Sequence, residues 1–289
     1  MASPTSYART IETLVRAIGD ERALPDLEWV AHLAGATTER VSAVLEDLRR
    51  HLDDVASIRS SHASAGREFY AQICAPFELY ALTRLLRPSH IVEAGVSSGV
   101  SSSHFLLGLL DNGAGALHSI DLPTLQKGPE LGKGESPVSL PPDRSSGWAV
   151  PQELTLSWDL RIGPSEALLP GLVESLPAVD LFLHDDLHTA THLTFELEAI
   201  RPKLHVGSVV LADNTKWTGK AFDRFAASYG AAIQRRRGSD LVGIRVPPLE
   251  NRPAAPARRA PRKSVPARRR TTGARPSRSK PRRASPRRF

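Results

Sequence analysis

Hydrophobic and polar residues follow two different periods along this chain. Over residues 7–57, apolar residues recur at helical spacing in ARTIETLVRAIG and, after Pro25, in LEWVAHLAGATTERVSAVLEDLRRHLDDV. The stretch REFYAQICAPFELYALTRLLRPSH has the same period, with Pro76 starting its main segment and Pro88 ending it. The pattern predicts helices over about the first 90 residues, and we expect residues 1–66 to form a helical cap.

From residue 91 the pattern changes to short apolar runs that alternate with helical stretches. The runs are HIVEAG, ALHSID, LTLSWDLRIG, VDLFLHD and SVVLADN, followed by AAIQRRR and LVGIRV. Strands that alternate with helices predict a parallel sheet, because parallel strands need crossover connections. The last two runs lie about a hairpin apart. We therefore predict an α/β fold with a Rossmann-like, doubly wound, mostly parallel sheet and an antiparallel edge over residues 67–248.

Charge is distributed unevenly, so the formal net charge of +7 for the 289 residues is misleading. Residues 251–289 contain 15 Lys and Arg and no Asp or Glu, which leaves 23 basic and 31 acidic residues in the rest of the chain. This Arg/Pro-rich tail, residues 249–289, has Phe289 as its only aromatic residue and predicts disorder. The tail can contact a polyanion nonspecifically, or it can contact the acidic remainder of the chain, residues 1–250. It has no aromatic residues between its basic ones that could stack on nucleic-acid bases.

Cysteine content and hydropathy bear on the compartment. Cys74 is the only cysteine, which excludes an intramolecular disulfide framework and a cysteine-based zinc cluster. No N-terminal stretch has the features of a secretory signal, and no run of about 18 apolar residues predicts a transmembrane segment. We expect a cytoplasmic protein.

The first candidate binding motif is VEAGVSSGVSSSHFLLGLL. A strand ends near Glu93, Gly95 and Gly99 permit a tight turn, and a helix follows whose N-terminus can face a ligand. The next strand ends at Asp121, whose carboxylate can accept hydrogen bonds from both hydroxyls of a ribose. This spacing resembles a dinucleotide fingerprint, so NAD stays an alternative. However, GVSSG lacks the G-x-G-x-x-G spacing, and a ligand with a ribose but no pyrophosphate fits better.

Five motifs in order make the chain resemble the class I S-adenosylmethionine-dependent methyltransferases. They are VEAGVSSGVSSS, SIDLP, RIGPSEALLPGL, VDLFLHDDLHTATH and IRPKLHVGSVVLADN. The resemblance covers residues 67–246. It is closest to metal-dependent small-molecule O-methyltransferases and macrocin-type sugar methyltransferases, including the segment SSGWAVP. It implies S-adenosylmethionine as cofactor.

The resemblance also implies a set of cofactor-binding positions. Asp121 would hold the ribose hydroxyls, and Ser165 would lie near the adenine, although GPS stands where the family often has Gly-Asp-Ser. The full expected set is Glu93, Gly95, Ser97, Gly99, Asp121, Ser165 and Asp185.

Polar residues follow two neighbouring strands, in FLHDD and VVLADN. Asp185, Asp213 and Asn214 offer hard oxygen ligands that suit Mg²⁺. The same set resembles that of catechol-type O-methyltransferases. His188 lies three residues after Asp185, and the metal-dependent relatives have a Lys or His at this offset, which implies His188 as general base.

Other residues of this stretch have simpler interpretations. If a helix starts at Asp186, that residue is its N-cap, and His192 packs on the helix or lies at the surface. His184 is expected either in packing or in contact with a residue that itself binds the ligand. His188 and His192 form an H-x-x-x-H pair, but the Glu of a protease motif is absent, which disfavours a metal hydrolase.

The preferred hypothesis is an enzyme that transfers a methyl group to a hydroxyl of a small-molecule acceptor. We expect the long loop of residues 122–151, the N-terminal helices, and Lys216 or Trp217 to border the acceptor, although a tryptophan is more often part of the core. The alternative is a methyltransferase-like scaffold protein that contacts nucleic acid through its basic tail.

Overall fold

The fold is a twisted sheet with helices on both faces, seen in a computed structural model that describes residues 4–65, 75–123, 140–141 and 143–248. Its strands are β1 (His90–Ala94), β2 (Ala116–Asp121), β3 (Trp158–Ile162), β4 (Val179–His184), β5 (Leu204–Ala212), β6 (Gln234–Arg235) and β7 (Val242–Arg245). Its α-helices are α1 (Pro4–Ile18), α2 (Leu27–Ala34), α3 (Thr38–Asp47), α4 (Leu52–Ala65), α5 (Pro76–Leu86), α6 (Val100–Asn112), α7 (Ser165–Ser175), α8 (Ala190–Ile200) and α9 (Ala221–Tyr229). The predicted disorder of the basic tail, residues 249–289, lies outside the described residues.

The strands are arranged in the order β3-β2-β1-β4-β5-β7-β6. The pairs from β3 to β5 are parallel, whereas β7 pairs antiparallel with both β5 and β6. This confirms the predicted Rossmann-like sheet with an antiparallel edge. The strand order reverses between β1 and β4, which is the switch point where open α/β sheets bind ligands.

Alternate residues of the central strands supply two separate hydrophobic cores. Leu183 and Leu211 face the side covered by α1 to α6. Phe182 and Val210 face the opposite side, which α7, α8 and α9 cover. Because neighbouring residues of a strand point to opposite faces, near-continuous apolar strands mark a sheet buried on both sides.

The N-terminal helices share the first of these cores. The long helical pattern after Pro25 is interrupted in the structure, because Gly35 ends α2 in a left-handed conformation and Thr37 caps α3. The predicted starting and ending prolines of α5, Pro76 and Pro88, are confirmed. The strand predicted from LTLSWDLRIG begins only at Trp158, after a short 3₁₀ helix at Gln152–Ser157.

None of the helices within the described ranges is long and apolar enough to cross a membrane.

Candidate active site

The turn between β1 and α6 lies at the switch point of the sheet and is closely packed against two other segments. A Cβ on Gly95, whose φ is 90°, would lie 2.0 Å from the backbone oxygen of Asp185, and Gly99 has a φ of 92°. The backbone N–H of Gly147 donates to the Ser97 carbonyl at 2.7 Å. The turn therefore touches the end of β4 on one side and residues 146–150 on the other.

Replacing Gly95 by alanine is expected to destabilise the fold by more than about 3 kcal/mol, because backbone strain at positive φ adds to a clash with a backbone atom that cannot move away easily. Gly113→Ala is the matched control, since Gly113 also has a positive φ, of 67°, but has open space around its Cα. It should cost only about 1 kcal/mol of backbone strain. Urea unfolding measures both, and equal losses would contradict the close approach.

Glu93, on β1, is hydrogen-bonded to the helix that follows this turn. Its carboxylate is fully buried and accepts hydrogen bonds from Ser101 Oγ at 2.5 Å, Ser102 Oγ at 2.7 Å and Ser119 Oγ at 2.6 Å. Burial raises the pKa of Glu93 to about 7, although the three serine hydroxyls oppose the rise. The carboxylate thus joins β1, β2 and the start of α6, and its three serine partners were not identified from the sequence.

The raised pKa makes stability depend on pH. A glutamate in the unfolded chain loses its proton near pH 4.5, and the folded Glu93 loses it near pH 7. Between these two pH values the folded state therefore binds one proton more than the unfolded state. The stabilising contribution is present below pH 4.5 and decreases as the pH rises to 7. Relative to Glu93→Gln, the wild type should lose up to about 3 kcal/mol of unfolding free energy over this range. Urea unfolding at several pH values, with the exposed Glu198→Gln as control, tests this; parallel pH profiles of wild type and Glu93→Gln would contradict it.

Asp121 ends β2 beside the turn. Its Oδ1 accepts the backbone N–H of Val96 at 3.0 Å, and its Oδ2 accepts the Ser146 hydroxyl. Each carboxylate oxygen has a further lone pair available for another donor. Next to it, the apolar side chains of Leu122 and Ile162 are 55% and 57% exposed, and Ile162 pairs with Asp121 in the β2–β3 register. The structure thus places a carboxylate beside an exposed apolar surface.

Ser165 is the first residue of α7 and is buried. Its hydroxyl donates to Asp186 Oδ2 at 2.5 Å, so it is tied to the loop after β4. The proline of GPS, Pro164, precedes the helix and caps it without a side-chain hydrogen bond.

The stretch FLHDDLHTATH folds as the end of β4, a loop, and the start of α8. The expectation of a helix starting at Asp186 was wrong, because Thr189 is the N-cap and its hydroxyl accepts the backbone N–H of His192 at 3.1 Å. His188 therefore lies in a loop, whereas His192 lies on the helix, and the two do not share one helix face.

The expected metal ligands meet at the ends of β4 and β5. His184 pairs with Ala212 in the sheet, which places Asp185 and Asp213 at adjacent strand ends. His188 Nε2 lies 3.4 Å from Asp185 Oδ1 and 3.5 Å from Asn214 Nδ2. The structure thus brings Asp185, His188, Asp213 and Asn214 together.

Two features of this group fit a cation. Burial and the neighbouring charge of Asp185 raise the pKa of Asp213 to about 7, so a positive ion between the two carboxylates would stabilise both. Asn214 has a φ of 51°, an uncommon backbone conformation that occurs often at functional sites. Trp217, three residues on, is 41% exposed and so is not part of the core.

A second polar cluster lies on the other side of the same loop and was not anticipated as a unit. Asp186, His192 and Glu196 each offer one ligand atom, and these atoms lie within 4.8 Å of one another. His184, expected in packing or beside a ligand-binding residue, is fully buried, and its Nδ1 lies 2.6 Å from Glu196 Oε2. The sequence did not predict this cluster, because Asp186 lies in the loop before α8 and reaches His192 and Glu196 only through the path of that loop.

Residues 92–215 match a family model described as a methyltransferase domain. Among solved structures, a methyltransferase from Podospora anserina with bound S-adenosylhomocysteine is 16% identical over 72% of this chain and 88% of its own, with a TM-score of 0.42. The calicheamicin methyltransferase CalS11 is 20% identical over 85% and 94%, with a TM-score of 0.42. The O-methyltransferase TomG from Streptomyces achromogenes is 15% identical over 67% and 89%, with a TM-score of 0.47. No curated protein matches the chain significantly in sequence.

The family model covers residues 92–215, which is less than half of the chain. Residues 92–215 are thus similar to a methyltransferase domain, and the strand order agrees with the predicted Rossmann-like methyltransferase fold. The match to a methyltransferase domain supports an enzyme and disfavours the scaffold alternative.

Proposed function

We propose that this enzyme transfers a methyl group from S-adenosylmethionine to a hydroxyl of a small-molecule acceptor, assisted by Mg²⁺. The observation that carries the proposal is the contact between Gly95 and the Asp185 backbone. This contact puts the turn that would hold the cofactor directly beside the strand ends that carry Asp185 and Asp213. A methyl donor and an acidified hydroxyl are needed at one place, and this is where both can be held.

The cofactor would lie along the switch point. Ser97 Oγ is buried and has no hydrogen-bond partner among the described residues, so it can contact a ligand in this turn. Asp121 would accept the ribose hydroxyls, and Leu122 and Ile162 would cover a face of the adenine, with Ser165 at its edge. Gly95 and Gly99 would allow the backbone to approach the cofactor closely. Glu93 would keep the turn in place through its hydrogen bonds to Ser101 and Ser102. Bound S-adenosylmethionine supplies an electrophilic methyl group on its sulfonium.

The acceptor hydroxyl would lie at the Asp185 edge. Asp185, Asp213 and Asn214 would hold Mg²⁺, which orients oxygen ligands and lowers the pKa of a bound hydroxyl. His188 Nε2 faces the same space and would remove the hydroxyl proton. Residues 146–150, which cover the turn, would help exclude water from the donor.

Two further features of the sequence belong to this proposal. A single cysteine supports a reducing, cytoplasmic compartment. The basic tail is assigned at most a nonspecific contact with polyanions, and its removal is not expected to change small-molecule turnover.

The cofactor site is tested by calorimetric titration with S-adenosylhomocysteine. The wild type should bind with micromolar affinity, and Asp121→Ala should weaken binding at least tenfold, because two charge-assisted hydrogen bonds are lost. Asp143→Ala is the matched control, since Asp143 is an exposed carboxylate three residues before Ser146. No binding to the wild type, or equal binding to both variants, would contradict the assigned cofactor site.

A further inference from the structure

The cluster behind the active-site loop has the composition of a metal site. His192 Nε2 lies 3.2 Å from Asp186 Oδ2 and 3.2 Å from Glu196 Oε1. His192 and Glu196 are one turn apart on α8, so they share a helix face, and Asp186 reaches them from the loop after β4. Within the described residues, no other group of three His, Asp or Glu ligand atoms is as close.

Each candidate ligand is held by a second residue behind it. His192 Nδ1 lies 3.0 Å from Glu166 Oε1, Glu196 Oε2 lies 2.6 Å from His184 Nδ1, and Ser165 Oγ donates to Asp186. Metal-binding histidines commonly donate their other ring N–H to a carboxylate, and metal-binding carboxylates are themselves hydrogen-bonded. The three contacts orient the ligand atoms toward one point from α7, α8 and β4.

Three carboxylates, those of Glu166, Asp186 and Glu196, surround His192 at this point. Among the described residues, no Lys or Arg forms an ion pair with Glu166, Asp186 or Glu196. A buried cluster of carboxylates is costly unless it is compensated, and a cation at this point would compensate it.

We propose that Asp186, His192 and Glu196 form a second metal site, which takes a divalent transition metal ion and is separate from the Asp185–Asp213–Asn214 site. The imidazole ligand favours Zn²⁺ or Co²⁺ over Mg²⁺, which prefers oxygen ligands alone. Asp185 and Asp186 are adjacent in sequence but belong to different sites. Asp185 lies beside His188, whereas Asp186 contacts Ser165 and His192. The ion would join α7 and α8 to the loop that carries His188.

The test uses the full chain, freed of metal by a chelator and carrying Asp213→Asn, so that the first site does not contribute. Co²⁺ is titrated in excess Mg²⁺ and followed by visible absorption, and Zn²⁺ competition is measured by calorimetry. One equivalent of Co²⁺ should bind. Glu166→Gln, on the exposed side of the cluster, should weaken Co²⁺ affinity by about 10- to 100-fold. His192→Gln should weaken Co²⁺ affinity by at least as much.

The matched control is His205→Gln, because His205 also pairs with a carboxylate, Asp180, at 2.8 Å but lies outside the cluster. It should leave Co²⁺ binding unchanged. Glu166→Gln keeps the buried ligands, so it remains informative if His192→Gln fails to fold. Absence of Co²⁺ binding to the Asp213→Asn protein, or equal Co²⁺ binding with and without Glu166→Gln in that background, would overturn the proposal. His192, with a proton in place of the metal ion, would then be the cation of the cluster. Because the Asp213→Asn background already lacks the first site, neither result depends on the proposed methyl transfer.

Discussion

Replacing Asp213 by asparagine is expected to reduce Mg²⁺-dependent methyl transfer by about 100- to 1000-fold. Asp213 and Asp185 lie at adjacent strand ends, and their mutual repulsion favours a cation between them. The substitution keeps the shape of the side chain but removes one of the two charges that would hold the ion, and metal assistance is worth several kcal/mol in such reactions. S-adenosylhomocysteine release is measured with a panel of vicinal-diol acceptors over a range of Mg²⁺ concentrations.

Two variants make this experiment specific. Asp240→Asn removes a neighbouring carboxylate that pairs with Lys216 at 2.6 Å and acts on Asp213 only through its field, so turnover should change little. His188→Gln should lower kcat by about 10²- to 10⁴-fold while the Mg²⁺ concentration for half-maximal activity stays the same, as expected for a base. If Asp213→Asn turns over normally, the metal role is wrong. If His188→Gln instead raises the Mg²⁺ requirement, His188 is a metal ligand.

The second large effect is expected at a buried ion pair far from the site. Arg236 Nε donates to Glu78 Oε1 at 2.6 Å, and the two side chains are 2% and 0% exposed. Arg236 also donates to the backbone carbonyls of Arg22 and Leu24, so it joins the C-terminal hairpin to the N-terminal helices. Arg236→Met should cost about 3–5 kcal/mol, because it leaves the buried Glu78 carboxylate without a compensating charge, although the Asp26 backbone N–H still donates to it.

The neighbouring residue provides the control. Arg235 is exposed and lies 3.8 Å from Asp223, so Arg235→Met should change stability by less than about 1 kcal/mol. The double variant Arg236→Met with Glu78→Gln should recover part of the loss, since the uncompensated carboxylate is gone. Urea unfolding measures all three, and a loss below about 1 kcal/mol for Arg236→Met would show that the pair does not hold the hairpin.

The placement of some polar residues could be predicted from the sequence for a local reason. Asp185, Asp213 and Asn214 come directly after apolar runs, and parallel strands bring such residues to one edge of the sheet. The helix start at Asp186 failed because two N-cap candidates, Asp186 and Thr189, stand three residues apart. Only the path of the loop decides which of them faces the free N–H groups.

Other features had no local signal at all. Glu93 looked like a ligand of the cofactor, but its carboxylate is occupied by Ser101, Ser102 and Ser119, the last of them on a neighbouring strand. His192 looked like a packing or surface residue, yet it lies at the centre of a carboxylate cluster. Both outcomes depend on which helices and strands pack side by side.

Local sequence patterns were enough to predict the α/β class, the parallel sheet with its antiparallel edge, the glycine turn, and the polar residues at the strand ends. These follow from side-chain period and turn chemistry, which act over a few residues. Long-range packing fixes the rest: His188 lies in a loop, Asp186, His192 and Glu196 converge, and Arg236 pairs with Glu78 across 158 residues. Such partnerships depend on strand register and helix packing, and a buried charge takes whichever partner that packing brings within hydrogen-bond distance.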